Sequence, residues 1–402
     1  MPSHRRLTCK LNYFQSIILL FAMVILIGAA LLMLPISAQA HTVTPFHEAL
    51  FTATSAVCVT GLVVRDTASH WSAFGQVVLM VLIQIGGLGV ITVGASFSLL
   101  SGRRISLSQR GRMQEAMSAP KVGGIVRLTG FVIRSSLVME GIGALCMLPV
   151  FCRDFGVSGI WKAIFHSVSA FCNAGFDLMG TPDTPFVSLT AYRADPVISL
   201  TISALIVIGG IGFLTWDDVR TNRLHFHRYR LQSKVILTST ALLILLPTLY
   251  FFFFEFKGVT PQERLLLSLF QSITPRTAGF NTADYTSLSS SGRGLTILLM
   301  FIGGSPGSTA GGIKTTTIAV LVANAFAVFR RQKSPEMFGR RMEEKAVHDA
   351  AAIFTLYLVL SLTGAFTIST VEGLPLSECL FETTSAIATV CLLYTSDAAD
   401  EL

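Results

Sequence analysis

The chain has 402 residues, of which 13% are charged and 51% are hydrophobic, and its mean hydropathy is +0.64. A soluble domain carries about 25% charged residues, so this composition excludes an ordinary soluble protein and indicates a polytopic membrane protein. The net charge of +7 would also suit a nucleic-acid or anionic-lipid partner. The seven cysteines have no CxxC or metal-ligand spacing, and we predict that they are small buried apolar residues.

The first apolar run, from Phe14 to Leu34, is long enough for a membrane helix, which needs about 20 apolar residues. A signal peptide is the alternative, because residues 38–40 (AQA) resemble a cleavage site. The run exceeds the ~7–15 residues of a signal-peptide core, so a retained helix is favoured.

A short motif recurs along the chain, each time after an amphipathic run that contains a phenylalanine. It reads SAVCVTG at 55–61, SAFCNAG at 169–175 and SAIATVC at 385–391, whereas TPRTAGF at 274–280 shares only the ending. A glycine at such a turn permits positive φ and lets backbones crowd around an axis. Four loops of this kind predict a ring of carbonyl oxygens that replaces the water shell of a cation.

Around each motif the hydropathy predicts a membrane helix, a pore helix that ends at the motif, and a second membrane helix. In chain order the predicted elements are 14–34, 45–57 and 74–100; 122–151, 160–171 and 196–216; 235–256, 263–274 and 295–328; and 346–371 and 376–388. The repeats are residues 1–121, 122–234, 235–345 and 346–402. The fourth is incomplete, since CLLYTSDAADEL follows residue 390 where a filter glycine and a last helix are expected. A truncated gene or an assembly artefact is the favoured explanation, and completion of the pore by another chain is the alternative.

Clusters of lysine and arginine follow the first three repeats, at 103–121, 220–234 and 330–345, and another lies at 5–10. They lie within about 20 residues of membrane ends, so the positive-inside rule places them and the N-terminus in the cytoplasm. We expect them to set the topology or to contact a cytoplasmic partner, and we expect no nucleic-acid binding. The opposite loops carry aspartates that would concentrate cations at the outer mouth, namely Asp66, Asp177, Asp183, Asp195 and Asp284.

Three motifs with their flanks, VCVTGL at 57–62, FCNAGF at 171–176 and TPRTAGFNT at 274–282, resemble the Trk/Ktr/HKT superfamily of potassium transporters, most closely the Ktr-type membrane subunit. The resemblance covers residues from about 14 to 390. It implies an all-α polytopic membrane protein with four pseudo-symmetric helix–pore helix–helix repeats around a central pore, the fourth truncated. It also implies K⁺ uptake across a bacterial cytoplasmic membrane, with sodium dependence left open and without a cofactor. Its implied partners are the lipid bilayer, a second copy in a homodimer, and a cytoplasmic ring of nucleotide-binding regulatory subunits.

The filter of such a pore consists of backbone carbonyls more than of side chains. These loops lack the TVGYG sequence of tetrameric potassium channels, so we expect weaker selectivity over Na⁺. The predicted K⁺-binding residues are Val59, Thr60, Gly61, Asn173, Ala174, Gly175, Thr277, Ala278, Gly279, Thr389 and Val390.

A second glycine motif lies in the returning helices, as IGGLG at 85–89, IGGIG at 208–212 and IGGSPG at 302–307. Close helix packing accounts for the first two.

Segment 303–314 (GGSPGSTAGGIK) has too many glycines to stay helical, and non-helical backbone at membrane depth must be buried or line a cavity. We therefore predict that it faces the pore. The resemblance implies an intramembrane gate formed by Gly303, Gly304, Ser305, Gly307, Ser308, Thr309, Gly311, Gly312 and Lys314. A phosphate-binding loop is disfavoured, because Gly307 precedes Lys314 by seven residues where a Walker motif has six.

Two charged residues stand out in apolar surroundings. Arg276 precedes the third filter, and we predict that it points behind the filter and binds carbonyls at the end of its pore helix. Glu140 lies inside a predicted membrane helix, where a charge is usually functional or paired. A structural role and an ion-coupling role both remain open for it. Arg127 and Arg134 could be partial partners, and a bond to another helix is the alternative.

Other classes of function remain as alternatives. An alternating-access cation symporter also has discontinuous helices, but the repeated filter loops argue against it. A membrane enzyme is disfavoured because the sequence has no HExxH, GxSxG or paired-carboxylate motif. An inactive fragment of a transporter is the third alternative.

Overall fold

The computed structural model describes residues 13–89, 92, 111, 113, 114, 124–223, 225–332 and 334–392. The basic segment at 5–10, most of the basic segment at 103–121, most of the end of the predicted helix 74–100 and the tail after residue 392 lie outside the described residues. Helices joined by loops make up most of the described chain, and one small hairpin pairs β1 (Glu336–Met337) with β2 (Arg340–Arg341). The all-α architecture predicted from the sequence is confirmed.

Four helices in the described part of the chain are long and apolar enough to cross a membrane. They are α1 (Tyr13–Leu32), α5 (Ile125–Phe155), α9 (Leu231–Tyr250, continued by the π-helical turn Phe251–Glu255) and α13 (Glu344–Glu372). Each is the first helix of one predicted repeat. Large side chains on the outer faces of all four are more than half exposed, as with Leu19, Leu145, Leu246 and Leu356. Apolar surface on this scale is typical of helices that face lipid.

Each long helix packs against the pore helix of its own repeat. The pore helices are α2 (Phe46–Val57), α6 (Ser158–Phe171), α10 (Pro261–Ile273) and α14 (Leu376–Ile387). A short helix, α3 (Thr67–His70), follows the first of them. Most residues in the second halves of α2, α6 and α10 and half of those in α14 are buried, so the core surrounds the pore helices.

The second and third returning helices are interrupted, whereas the sequence predicted an interruption only for the third. In the first repeat, α4 (Ala73–Leu88) ends at Gly89, whose φ is +83°. In the second, the predicted uninterrupted helix 196–216 is wrong: α7 (Pro196–Gly210) and α8 (Phe213–Asn222) meet at a bend of 95°. Gly212 has a φ of +89°, and the Phe213 N–H donates to the Gly307 carbonyl (2.8 Å) instead of continuing the helix.

The third returning segment consists of α11 (Ser290–Phe301) and α12 (Thr315–Phe329). The connection between them, residues 302–314, contains no regular helix. This confirms the prediction that the glycine-rich segment interrupts the helix.

Candidate functional site: four pore loops and an intramembrane loop

All four pore helices lead into loops with the same unusual backbone conformation. A non-glycine residue with positive φ follows each helix, and a second positive φ occurs two residues later. The first set is Val59, Asn173, Thr277 and Thr389, with φ between 55° and 65°. The second set is Gly61, Gly175, Gly279 and Cys391, with φ between 69° and 85°. Positive φ costs a non-glycine residue about 1–2 kcal/mol, so its recurrence in four loops indicates that the geometry serves a function.

The end of each pore helix leaves the following carbonyls free of helical hydrogen bonds. In three loops a backbone N–H donates to the carbonyl five residues earlier, at 2.8 Å. These bonds run from Thr60 to Ser55, from Ala174 to Ser169 and from Val390 to Ser385. Such bonds are typical of helices that end in a left-handed residue. In the third loop Ala278 donates instead to the Thr274 carbonyl at 3.1 Å, where Pro275 follows the end of the helix. The helix C-termini direct partial negative charge toward the loops.

The glycines of these loops lie too close to the neighbouring loop to carry a side chain. A Cβ built on Gly61 would overlap the Ala174 carbonyl oxygen, and one on Gly175 would lie 2.9 Å from the Ala278 oxygen. A Cβ on Gly279 would overlap the Val390 oxygen. The loops therefore follow one another in a ring in chain order. The residues that the sequence analysis proposed as the filter, 59–61, 173–175, 277–279 and 389–390, come together here.

Hydroxyl groups in the pore-helix ends fix the outer part of two loops. Ser169 Oγ donates to the Phe176 carbonyl (2.7 Å), and Thr274 Oγ1 donates to the Phe280 carbonyl (2.6 Å). The phenylalanines that accept these bonds directly follow the filter glycines and are buried. The second and third loops are thus tied to their own pore helices.

The Arg276 side chain is buried beside the third loop, and its partner differs from the predicted one. Its Nη2 lies 3.5 Å from Thr240 Oγ1 on α9, and among the described residues no hydrogen bond joins its guanidinium to the pore-helix carbonyls. The carbonyls at this helix end already accept bonds from backbone N–H groups, including that of Arg276 itself. The predicted carbonyl contact is therefore corrected to a contact with the neighbouring long helix.

The segment 303–314 is closed by its own hydrogen bonds into a compact loop. Gly303 N–H donates to the Ile313 carbonyl (2.9 Å) and Thr315 N–H to the Gly304 carbonyl (3.0 Å). The Lys314 ammonium turns inward and donates to the carbonyls of Ala310 (2.7 Å) and Gly311 (3.3 Å). The lysine therefore stabilises the loop itself, which differs from the phosphate contact of a nucleotide-binding loop.

This loop lies directly against three of the four pore loops. Thr309 Oγ1 donates to the Phe171 carbonyl (3.0 Å) and lies 3.4 Å from Asn173 Oδ1. A Cβ on Gly311 would overlap Thr389 Oγ1, and one on Gly312 would lie 3.3 Å from Thr277 Cγ2. The loop thus borders the second, third and fourth pore loops on the side away from their glycines.

The interrupted second returning helix holds the loop from its other side. Ser305 N–H donates to the Gly210 carbonyl (2.9 Å), and Thr309 N–H donates to the Gly209 carbonyl (3.3 Å). The bend at Gly212 frees carbonyls that a continuous helix would use internally. The sequence signal for this contact was the IGGIG motif, which the sequence analysis attributed to helix packing alone.

Two cavities lie on opposite sides of the pore loops. The cavity on the glycine side, which we name the outer cavity after the proposed orientation, has a volume of about 660 Å³. It is bordered by the ring positions Gly61, Gly175, Gly279 and Cys391, and by three aspartates, Asp66, Asp177 and Asp284. Burial raises the pKa of Asp177 to about 6, and the nearby Asp66 carboxylate also raises it to a smaller extent. The Met179 N–H and the Lys162 ammonium oppose this increase. The inner cavity, of about 220 Å³, lies between the first pore loop (57–59), Gly86–Gly89 and the segment 307–311.

Glu140 is joined to the second pore loop through a residue that the sequence analysis did not single out. Gln84 Nε2 on α4 donates to Glu140 Oε1 (2.9 Å), and Cys172 Sγ lies 3.6 Å from Gln84 Oε1. Ser167 Oγ on α6 also donates to the Glu140 main-chain carbonyl (2.6 Å). The partner of Glu140 is therefore an amide on another helix, which agrees with the interhelical bond that the sequence left open beside Arg127 and Arg134.

These features define a multi-pass membrane protein in which four pore loops surround one axis and a non-helical loop borders their inner ends. The family described as TrkH, cation transport protein, matches residues 9–394, and the chain belongs to this family. It is a family of membrane ion transporters, so no enzymatic activity is indicated.

Relatives along nearly the whole chain agree with this assignment. The chain is 40% identical to the potassium/sodium uptake protein NtpJ of Enterococcus hirae, over 96% of this chain and 87% of that protein. It is 39% identical to the Ktr system potassium uptake protein B of Bacillus subtilis, over 92% of this chain and 83% of that protein. The solved structure of the potassium transporter TrkH from Vibrio parahaemolyticus has the same fold, with a TM-score of 0.73 and 16% identity over 97% of this chain and 78% of that chain.

Proposed function

We propose that the chain mediates K⁺ uptake across the cytoplasmic membrane of a bacterium, through a pore at the centre of the four loops. The ring of converging loop backbones carries this proposal, since free carbonyls around one axis suit a dehydrated cation. The names of the relatives support K⁺ as the substrate, and the first of them also names sodium. A dependence of uptake on Na⁺ therefore belongs to the proposal.

The filter acts through backbone carbonyls of residues 59–61, 173–175, 277–279 and 389–390. These oxygens replace part of the hydration shell of K⁺, and the pore-helix C-termini add a modest negative potential. The aspartates of the outer cavity raise the local cation concentration before entry. Ions then move inward down their electrochemical gradient.

The segment 303–314 acts as the gate. Its contacts with Phe171, Thr277 and Thr389 keep it against the inner ends of three pore loops, so its backbone and side chains obstruct the path from the filter to the inside. Uptake requires the loop to move away from the filter. Among the described side-chain hydrogen bonds, the one from Thr309 to the Phe171 carbonyl holds the segment in this position most directly.

The assembly and orientation follow from the family resemblance and the charges. The chain forms a homodimer in the membrane and binds a cytoplasmic ring of nucleotide-binding regulatory subunits, a proposal that the Ktr system name of the relative supports. The exposed arginines after α12, among them Arg330, Arg340 and Arg341, lie on the side proposed to face the cytoplasm, as does the N-terminus. They are the proposed contact surface for that ring.

The test is Gly61→Ala in the purified protein, reconstituted into liposomes and assayed for uptake of radioactive Rb⁺ or K⁺. The added methyl group would overlap the Ala174 carbonyl at a φ of +85°, so we expect uptake to fall by about tenfold or more. The matched control is Gly130→Ala on α5, where a Cβ meets no atom within 4 Å. Equal uptake by the Gly61→Ala variant and the native chain would refute a path through the ring.

A further inference from the structure

A third cavity, of about 530 Å³, forms a groove between α9 and α12, away from the pore loops. Residues of α12 line it at intervals of three or four positions from Thr315 to Arg330, so one face of the helix forms a wall along its whole length. A helix of 15 residues rises about 22 Å. One leaflet contributes about half of the ~30 Å hydrocarbon core of a bilayer. The groove is therefore long enough for one lipid acyl chain.

The walls of the groove are apolar. Ala319, Ala323 and Ala327 follow one another at intervals of one turn on α12, and their small side chains leave the space between the helices open. Larger apolar side chains beside them are not covered by protein, since Phe326 on α12 is 60% exposed and Leu242 on α9 is 50% exposed. Exposed apolar surface between two membrane helices fits a hydrocarbon chain.

The polar side chains along the groove do not form a site for a polar ligand. Away from the hairpin end, the polar side chains of the described lining are the hydroxyl groups of Thr238, Ser239 and Thr315. Thr315 Oγ1 lies 3.2 Å from Ser305 Oγ and is engaged with the segment 303–314. Pockets for soluble ligands have several polar groups that converge on the ligand. The lining therefore favours an apolar occupant.

The hairpin end of the groove carries a positive charge. Arg330, Gln332 and Glu336 line this end. Glu336 Oε1 accepts a hydrogen bond from Arg341 Nε at 3.0 Å, so its carboxylate is already paired. Arg330 is exposed, and no ion pair joins it to another residue in the described part of the chain. A guanidinium in this position can bind a phosphate group through two hydrogen bonds.

We propose that this groove binds one acyl chain of an anionic phospholipid, whose phosphate group lies against Arg330. Basic pockets between membrane helices are general sites for anionic headgroups. The lipid comes from the leaflet on the side of the basic segment 330–345. Arg330 then binds the membrane lipid, whereas Arg340 and Arg341 on the hairpin remain available to a cytoplasmic partner.

The first test measures the headgroup contact. The purified full chain in detergent is titrated with dioleoyl phosphatidylglycerol or dioleoyl phosphatidylcholine, and native mass spectrometry gives the affinity of each lipid. We expect Arg330→Gln to weaken phosphatidylglycerol binding about fivefold and to leave phosphatidylcholine binding unchanged. Arg330→Lys keeps the charge and should retain most of the affinity. Arg228→Gln is the matched control, because Arg228 is also exposed in a basic segment but does not line the groove.

The second test fills the groove without a change of charge. Ala323→Trp places an indole ring where the acyl chain would lie, so we expect phosphatidylglycerol affinity to fall at least about tenfold. Ala325→Trp is the matched control, because Ala325 is exposed on another face of the same helix and does not line the groove. Size-exclusion chromatography and circular dichroism check that both variants are folded.

The third test locates the lipid in a bilayer. The full chain is reconstituted into phosphatidylcholine liposomes that contain phosphatidylglycerol with a diazirine on one acyl chain. Irradiation releases N₂, and the resulting carbene inserts into a neighbouring C–H bond. Peptide mass spectrometry should then find labels in 235–243 and 315–327, and Ala323→Trp should remove them.

The three tests decide the proposal together. Tighter binding of phosphatidylglycerol that depends on Arg330, with labels in the groove, supports it. Equal affinities for the two lipids, equal effects of the two tryptophan variants, or labels confined to other faces overturn it. A second copy of the chain seated on this face would exclude the lipid and give the last of these results. None of the measurements requires K⁺ transport, so their outcome is independent of the proposed function.

Discussion

Replacing Thr309 with valine tests whether the segment 303–314 is a gate held by the pore-helix end. Valine keeps the shape of threonine but cannot donate to the Phe171 carbonyl, which lies 3.0 Å from Thr309 Oγ1. A hydrogen bond of this kind contributes about 0.5–1.5 kcal/mol net. If the bond exists only when the loop blocks the filter, its loss raises the open-to-closed ratio by about twofold to tenfold.

The assay is the rate of Rb⁺ uptake into liposomes at a fixed membrane potential. Thr309→Ser retains the hydroxyl group and is expected to restore the native rate. Thr367→Val is a matched control, because this hydroxyl donates within α13 to the Thr363 carbonyl on the exposed face of that helix. The gate hypothesis would be refuted by a Thr309→Val rate equal to the native rate, or by equal rates for the valine and serine variants.

Two further predictions concern the support of the loop and the outer cavity. The methyl group of Gly209→Ala would overlap the Phe171 carbonyl and lie 2.8 Å from Thr309 Oγ1, so we expect the transport rate to fall at least about tenfold. The control is Gly141→Ala, whose methyl group meets no atom within 4 Å and should leave the rate unchanged. Equal rates for the two variants would contradict the close packing of α7 on the second filter. Asp177 is ionised above its pKa of about 6 and neutral below it, so K⁺ uptake at low ionic strength should decrease as the outer pH falls through about 6. Asp177→Asn should abolish this step in a pH titration of the uptake rate, and persistence of the step would assign it to another group.

Hydropathy and motif spacing predicted the long helices and the pore helices because both depend on local sequence. The pore-helix boundaries agree within two residues, as for 45–57 against Phe46–Val57 and 376–388 against Leu376–Ile387. A re-entrant helix must end where its carbonyls are needed, and the glycine or small residue at that point is visible in the sequence. The grouping of the four loops around one axis also followed from their repetition.

The end of α4 at Gly89 and the break in the second returning helix were not predicted. Gly89 and Gly212 have nearly the same φ, +83° and +89°, and both are the last glycine of an IGGxG motif. The first glycines of these motifs do pack closely, since a Cβ on Gly86 or Gly209 would overlap a pore-helix carbonyl. A glycine that permits close packing and one that permits a helix break look alike in sequence. Only the tertiary contact of Phe213 N–H with Gly307 shows which role applies.

The partners of Arg276 and Glu140 could not be predicted either, because they depend on helices distant in sequence. Thr240 lies on α9 and Gln84 on α4, and neither polar residue stands out among its apolar neighbours. Buried polar groups nearly always find a hydrogen-bond partner, so the sequence predicts that a partner exists but not which one. The Gln84 amide in particular connects Glu140 to Cys172, the residue before the second filter.

The contacts between the pore loops and the segment 303–314 depart from fourfold symmetry, which bears on how the proposed gate would move. Three pore loops contact the segment 303–314 through Thr309, Gly311 and Gly312, whereas the first pore loop borders the inner cavity of about 220 Å³. That cavity also adjoins Gly307 to Gly311 of the gate. A loop that moved toward the second or fourth repeat would meet packed backbone, because the bonds to Gly209 and Gly210 and the contact with Thr389 occupy those sides. The cavity beside the first repeat offers free volume, so we predict that the proposed gate moves toward Val59 and opens the pore from that side.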